Sequence, residues 1–150
     1  MSFSTRLPVR PRHCDAQGML HAARYYEYFE EAFLRWLTTV SLPYAALRAS
    51  GVDLVIVESR CVHHEPARLD DELEVRVHAS RRSDEVLGVR FDVERGGALL
   101  AEGSCTYVAV AHGRSTALPA PLRSATADRE DDRRSTGAQR SPRPDGANGL

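Results

Sequence analysis

The residues best suited to chemistry lie together in one short stretch, Asp15-Ala16-Gln17-Gly18-Met19-Leu20. Asp15 places a carboxylate just before a glycine turn, where the free N–H groups of a following helix begin. A carboxylate can serve as a base or nucleophile, and the N-terminus of a helix favours negative charge. This pairing makes the stretch the candidate site of chemistry in the chain. On spacing alone, however, an Asp before a glycine more often serves a turn or a helix cap.

A helix with a wide apolar face follows this turn and must position it. Its apolar residues recur with a period of 3.6, and its charged residues fall mostly on the other side. We expect the helix to run to about Thr39 and to fill the core, because the single Trp and most of the Phe and Tyr lie in or near it. The predicted core face consists of Ala22, Tyr25, Phe29, Ala32, Phe33, Trp36 and Val40.

Five further segments have the alternation or β-rich composition that is typical of strands. Residues 3–10 form the first, and Pro8 and Pro11 indicate that it lies at an edge of the sheet or is lightly paired. The other four are residues 52–64, 73–79, 87–93 and 99–111, with Gly96-Gly97 as a hairpin turn between the last two. Five antiparallel strands and one long helix pack economically when the sheet curls around the helix, which predicts an α+β fold.

Composition limits the classes of partner and compartment. With 150 residues and a net charge of −1, the chain suits one domain and gives no electrostatic case for nucleic acid. Its three cysteines are odd in number and lack metal-like spacing, so we expect free thiols in a reducing cytoplasm. We predict a soluble cytoplasmic protein with no membrane partner, since no apolar run has spanning length. We expect residues 1–122 to form the domain and residues 123–150 a disordered polar tail.

Three motifs in chain order resemble the signature of the 4-hydroxybenzoyl-CoA thioesterase branch of the hotdog-fold superfamily. The first is the stretch from Asp15 to Leu20, with Tyr25 ten positions after Asp15. The second is Pro66-Ala67-Arg68-Leu69-Asp70-Asp71-Glu72-Leu73, which is similar to the family's strand entry. The third is Gly103-Ser104-Cys105-Thr106-Tyr107-Val108-Ala109-Val110, which is followed by a turn, Arg114 and Pro119.

The resemblance implies a hotdog fold, in which a five-stranded antiparallel sheet curls around a central helix, and hydrolysis of an acyl thioester on coenzyme A or a carrier protein. It implies that Asp15 is the catalytic nucleophile or general base and that the backbone N–H near Ala22 is the oxyanion donor. The residues assigned to substrate binding are Gly18, His21, Tyr25 and Glu65. It implies no metal or organic cofactor, and it implies a homodimer, with a further pairing to a homotetramer left open.

Two positions depart from the family pattern. His13 stands where family members often carry a second Asp, and Ala22 stands where many carry a His or Tyr. The neighbouring His21 would point about 100° away on a helix, so we interpret it as substrate-proximal or capping rather than as a base. Glu30, farther along the helix, is a second candidate carboxylate, although a solvated helix face explains it as well.

Other interpretations stay open at this point. A hotdog dehydratase or hydratase would need a His near the helix start, for which His21 is the only indication. A non-catalytic module that binds an acyl ligand has little reason to keep a carboxylate beside a carbonyl site. The pair His63-His64 suggests a metal site, but adjacent strand residues face opposite sides and no convergent ligands are visible.

Overall fold

A computed structural model of the chain describes residues 3–127. The strands are β1 (Phe3–Pro8), β2 (Asp53–His63), β3 (Glu72–Arg81), β4 (Val86–Arg95), β5 (Ala98–Ala111) and β6 (Arg114–Ser115). The helices are α1 (Tyr25–Thr39), α2 (Tyr44–Ala49) and α3 (Ala120–Thr126), and single 3₁₀ turns lie at Pro11–His13 and Ala22–Arg24. Within residues 3–127, every helix is too short or too polar to span a lipid bilayer.

The sheet is antiparallel and has the order β1-β3-β4-β5-β2, with the two-residue strand β6 pairing back onto β5. It curls around α1, so the predicted α+β hotdog arrangement is confirmed. The edge position predicted for the first strand from its prolines is also confirmed, because β1 pairs with β3 alone. The long connection from β1 through α1 to β2 carries the chain from one edge of the sheet to the other.

Helix α1 packs its aromatic residues onto the inner face of the sheet. Phe29 stacks on Phe91 of β4 with ring centroids 4.8 Å apart, and Phe33 stacks on Tyr107 of β5 at 4.4 Å. Phe29 can approach this closely because Gly103 on β5 has no side chain; a Cβ there would overlap the Phe29 ring. The buried residues of α1 are Tyr25, Tyr28, Phe29, Ala32, Phe33, Trp36 and Leu37.

This buried face differs from the predicted one at both ends of the helix. Ala22 is exposed and Val40 only half-buried, whereas Tyr28 and Leu37 are buried. Ala22 lies in a 3₁₀ turn, and its three residues per turn shift the side chain away from the α-helical stripe. Tyr28 tolerates burial because its hydroxyl donates a hydrogen bond to the Pro8 carbonyl at 2.8 Å.

Strands β3 and β4 alternate buried and polar residues over most of their length, as their sequences predict, and β5 also alternates in burial along most of its length. Strand β2 differs from them in burial. Nearly all of β2 is exposed on both faces, including the apolar side chains of Val55, Ile56, Val57 and Val62. The strand ends the sheet and pairs only with β5, so one of its edges carries unpaired backbone groups. An edge strand of 11 residues with exposed valines can pair with a strand of another chain.

Helix α3 corrects the predicted start of the tail. It continues to Thr126, four residues beyond the boundary predicted between the domain and the tail. Leu122 and Thr126 are both buried, and the Thr126 hydroxyl donates to the Leu122 carbonyl at 2.7 Å. A short helix can pack against the domain through only two buried residues and needs no apolar run. Composition alone therefore does not predict α3. Residues 128–150, the rest of the predicted tail, lie outside the described residues.

Candidate active site

Asp15 begins a tight turn between β1 and α1. Its Oδ1 atom accepts the backbone N–H groups of Gln17 and Met19 at 2.9 and 3.1 Å, and its own N–H donates to the Met19 carbonyl at 2.9 Å. Gly18 completes the turn with a φ of +76°, a left-handed conformation that glycine adopts without strain. The first motif is therefore a turn whose own hydrogen bonds fix the position of the Asp15 carboxylate.

The turn is held against the second motif of the sequence. The Leu20 N–H donates to the Ala67 carbonyl, and the Leu69 N–H donates to the Gly18 carbonyl, both at 2.8 Å. The Ala67 N–H donates in turn to the Tyr25 hydroxyl oxygen at 3.2 Å, so the start of α1 is tied to the same segment. Burial raises the pKa of the Tyr25 hydroxyl, which is therefore protonated at neutral pH. Two motifs some 50 positions apart in the chain thus form one contiguous structure.

A cavity of about 300 Å³ lies between these segments. Its lining residues are Asp15, Met19, Leu20, Ala22, Tyr25, His63, His64, Glu65 and Pro66. Four of the six residues that the sequence nominated border this one space, namely Asp15, Ala22, Tyr25 and Glu65. The structure therefore brings together a carboxylate, the first N–H groups before α1 and an apolar wall.

Two groups at the cavity keep free hydrogen-bonding capacity. Within residues 3–127, the Asp15 Oδ2 atom has no hydrogen-bond partner, since both N–H donors bind Oδ1. The Ala22 N–H, at the first position of the 3₁₀ turn, likewise donates to no group in that part of the chain. An acceptor and a donor that are both unused beside a cavity are what a nucleophile or base and an oxyanion donor require.

Glu65 lies on the rim rather than inside the cavity. Its side chain is 61% exposed and approaches Arg95 at 3.7 Å. Arg95 is held more closely by Asp71 at 2.6 Å, and the hydrogen bond to that carboxylate raises the pKa of the guanidinium. Glu65 is thus suited to contact a polar part of a ligand at the cavity entrance.

The structure does not bring the other two nominated residues, Gly18 and His21, to the cavity lining. Gly18 shapes the turn beneath Asp15. His21 is exposed, and its side chain makes no capping hydrogen bond to the 3₁₀ turn that follows it. Its backbone contributes instead, since the His21 N–H donates to the His13 carbonyl at 3.0 Å.

His13, which replaces an Asp of the family pattern, faces a different part of the molecule. It lines a separate groove between β1 and α1, where its Nδ1 atom lies 3.0 Å from the Tyr28 hydroxyl and accepts the Arg10 N–H at 3.2 Å. Desolvation by burial, together with the nearby Arg12 charge, lowers the pKa of this imidazole. His13 is therefore a structural residue of that groove.

Two cavity residues, His63 and His64, are considered in the sequence only as a metal pair and not as part of this site. The His63 ring contacts the Tyr25 ring edge-on, with centroids 4.8 Å apart, whereas His64 Nε2 lies 2.8 Å from a Glu102 carboxylate oxygen. The two side chains thus point in different directions, as expected of neighbours at the end of a strand. Their position within three residues of Pro66, in the second motif, was the signal that could have found them.

The remaining candidates do not join this site. Glu30 lies on the exposed side of α1 and is absent from the cavity lining. Cys14, Cys61 and Cys105 are free thiols, and desolvation raises the pKa of all three. Among residues 3–127, no three His, Cys, Asp or Glu side chains are grouped as metal ligands would be.

Comparison with known proteins identifies the family. The model of the thioesterase-like superfamily matches residues 9–129. A solved structure of a hypothetical protein from Thermus thermophilus is 33% identical with a TM-score of 0.78, covering 83% of this chain and 97% of that chain. A 1,4-dihydroxy-2-naphthoyl-CoA thioesterase from Synechocystis is 21% identical with a TM-score of 0.79, covering 87% and 98%. A gentisyl-coenzyme A thioesterase is 21% identical with a TM-score of 0.75, covering 81% and 99%. The chain belongs to the thioesterase-like superfamily and has its hotdog fold.

Proposed function

We propose that the protein hydrolyses the thioester bond of an acyl- or aroyl-CoA. The observation that carries this proposal is the cavity bordered by the free Oδ2 atom of Asp15 and the free N–H of Ala22. The names of two similar structures, a gentisyl-coenzyme A and a 1,4-dihydroxy-2-naphthoyl-CoA thioesterase, favour coenzyme A as the carrier and an aromatic acyl group. An acyl group on a carrier protein is the second substrate class to test.

Asp15 acts on the thioester carbonyl by one of two routes. As a general base, its Oδ2 atom takes a proton from water, and the hydroxide adds to the carbonyl carbon. As a nucleophile, Oδ2 adds to that carbon itself and forms a mixed anhydride, which water then hydrolyses. In both routes the C–S bond breaks, the thiolate leaves, and a proton returns to the sulfur. The N–H donors that hold Oδ1 keep Oδ2 aimed at the carbonyl throughout.

The start of α1 receives the charge that develops on the carbonyl oxygen. The Ala22 N–H donates to this oxyanion, and the positive end of the α1 dipole adds to the stabilisation. Tyr25 and His63 form an aromatic wall on the acyl side of the cavity, held by their edge-on contact. Glu65, on the rim, contacts the polar part of the carrier.

The proposed active form is a homodimer built on β2. Its outer edge carries unpaired backbone groups, and exposed side chains such as Val57 offer apolar area for a second copy. The cavity lies at the C-terminal end of the same strand, beside His63. A partner strand along β2 would therefore enclose the cavity and exclude water from it.

Light scattering tests this assembly. We expect a mass of at least twice the 16.6 kDa chain at micromolar concentration, with four chains marking a homotetramer. Val57→Arg should give a monomer with little activity, whereas Tyr44→Arg on α2 should change neither property. Both side chains are 60% exposed, so neither substitution disturbs the core. A wild-type mass of one chain would contradict the dimer.

The decisive experiment for the reaction replaces Asp15 by Asn. The amide oxygen can still accept the N–H groups that Oδ1 accepts, so the turn and the fold should survive. The negative charge and basicity are lost, so turnover of aroyl-CoA thioesters should fall by about 10²- to 10⁴-fold. Asp53→Asn, which neutralises an exposed carboxylate paired with Arg48, is the matched control and should keep its rate. Near wild-type turnover in Asp15→Asn would refute the catalytic assignment.

The same assay separates the alternative functions. Free thiol appears only if a thioester is cleaved, so its release from a panel of acyl-CoA and carrier-protein thioesters supports hydrolysis. A dehydratase or hydratase would change the absorbance of an enoyl thioester without releasing thiol. A binding module would give saturable ligand binding with no turnover of either kind.

A further inference from the structure

The side of the sheet that faces away from α1, here called the outer face, carries an ordered arrangement of polar residues. The strand register places Arg60 of β2, Ser104 of β5, Arg90 of β4 and His78 of β3 in one row across four strands. Neighbouring strands are about 4.8 Å apart, so the two arginines stand about 10 Å apart with Ser104 between them. Long guanidinium side chains at that spacing can reach one ligand from both sides.

The next row of the outer face contains a depression. It consists of Glu58, Thr106, Gly88 and Ser80, in register across the same four strands. Gly88 leaves the middle of this row without a side chain, and Arg82 lies over it: a Cβ added at Gly88 would lie 2.5 Å from the Arg82 Nε atom. The hydroxyls of Ser80 and Thr106 therefore flank a gap in the row, which the Arg82 guanidinium occupies.

Three guanidinium groups at this place lack a carboxylate partner. Farther along the outer face, Arg76 pairs with Glu94 at 3.2 Å. His78, which lines the cavity in the same row as Arg90, approaches Asp92 at 3.0 Å. Among residues 3–127, no carboxylate forms an ion pair with Arg60, Arg82 or Arg90. All three line a cavity of about 680 Å³, whose lining includes one carboxylate, that of Glu58. The cavity thus has an excess of positive charge and several hydroxyl donors.

We propose that this outer-face cavity binds a small molecule through a diphosphate group. Arginine guanidinium groups bind phosphate oxygens in pairs of parallel hydrogen bonds, and the hydroxyls of Ser80, Ser104 and Thr106 supply further donors. A volume of about 680 Å³ has the size of small-molecule sites rather than of macromolecular surfaces. The ligand is a nucleotide-like diphosphate, and it comes from one of two sources: a free nucleotide, or the nucleotide part of coenzyme A.

The charge distribution argues against two other occupants. A second copy related by a two-fold axis would bring the arginine row of one chain against that of the other, which like charges disfavour. A nucleic acid would need a broad basic surface, whereas the chain has a net charge of −1 and its unpaired arginines here converge on one hollow.

Calorimetric titration with inorganic pyrophosphate at low salt tests the site without any catalytic reaction. We expect saturable binding of one pyrophosphate per chain, weakened by added salt. The double variant Arg60→Gln/Arg90→Gln should raise Kd at least about tenfold, as expected for lost charge-assisted hydrogen bonds. Arg76→Gln removes one positive charge from the same face but from an existing ion pair, and it should leave Kd unchanged.

Gly88→Ala tests the location of the ligand. The added methyl group meets only the flexible end of Arg82, so the protein should fold with an unchanged melting temperature. It takes the place of the Arg82 guanidinium and displaces it from the cavity, so Kd for pyrophosphate should rise. An unchanged Kd in Gly88→Ala would overturn this placement. The absence of pyrophosphate binding to the wild-type protein, or a change in oligomeric mass in the arginine variant, would overturn the site itself.

The source of the diphosphate follows from a comparison of ligands. If the site takes a free nucleotide, the arginine variant should weaken ADP binding and leave KM for acyl-CoA substrates unchanged. If it takes the nucleotide part of coenzyme A, KM for acyl-CoA should rise while kcat is retained. Because binding of pyrophosphate is read without turnover, failure of the proposed hydrolysis would not affect this test.

Discussion

The close packing of Phe29 against Gly103 gives the sharpest prediction about the fold. Gly103→Ala adds a single methyl group at the point where the Phe29 ring lies against β5. The ring has no room to move away, because it is 1% exposed and is stacked on Phe91 with centroids 4.8 Å apart. The substitution should therefore destabilise the protein although it is among the smallest possible.

The size of the effect follows from two contributions. Inserting a methyl group into a filled core costs about 1–3 kcal/mol, and disrupting the stacked aromatic pair costs about 0.5–1.5 kcal/mol. The free energy of unfolding should thus fall by about 2–4 kcal/mol. For a domain of this length, that corresponds to a melting temperature lower by on the order of 10 °C.

Thermal unfolding followed by circular dichroism measures this change, with all variants at one protein concentration. Gly88→Ala is the matched control, because it makes the same substitution on the neighbouring strand but on the outer face. Gly88 is buried beneath the exposed Arg82 side chain, whose flexible end can move into solvent, so that variant should melt within about 2 °C of the wild type. Equal melting temperatures for Gly103→Ala and the wild type would refute the proposed close packing of α1 on β5.

Three further outcomes are expected. A chain ending at Leu122 should melt at a lower temperature than one ending at Ala127, because the first loses the buried Thr126; equal melting would show that α3 does not dock. Burial lowers the pKa of His13 below its ordinary value of 6.5, so below about pH 6.5 the unfolded state binds a proton at this residue more readily than the folded state does. The free energy of unfolding should therefore fall as the pH decreases below 6.5, and it should fall less in His13→Gln. Burial raises the pKa of Cys61 to about 11, so mass spectrometry should find slow iodoacetamide labelling at pH 8 in the folded state and fast labelling in guanidine.

The periodicity of apolar residues predicts those strands and helices that bury one continuous side. The alternation in residues 73–79 and 87–93 corresponds to β3 and β4, and the apolar face after Gly18 corresponds to α1, which ends at Thr39 as expected. These patterns are visible because each strand or helix buries one continuous side. Helix α3 has no such pattern, since only two of its seven residues are buried.

Contacts between distant segments could not be predicted in this way. Adjacent histidines at the end of a strand face opposite sides, yet this rule does not indicate that the His63 ring contacts Tyr25. That contact depends on where the end of β2 lies relative to the start of α1. The rows of the outer face have the same origin, because Arg60 and Arg90 flank Ser104 only through the register of three strands.

The structural and catalytic interpretations of Asp15, which compete at the level of sequence, are compatible in the folded protein. One carboxylate oxygen holds the turn through two N–H groups, and the other is free at the cavity. A carboxylate restrained in this way loses little conformational freedom when it meets a carbonyl carbon, which favours reaction. The division also explains why Asn is the informative substitution: it keeps the oxygen that the turn needs and removes the charge that the proposed reaction needs. A variant such as Asp15→Val would remove both and could not separate a loss of folding from a loss of chemistry.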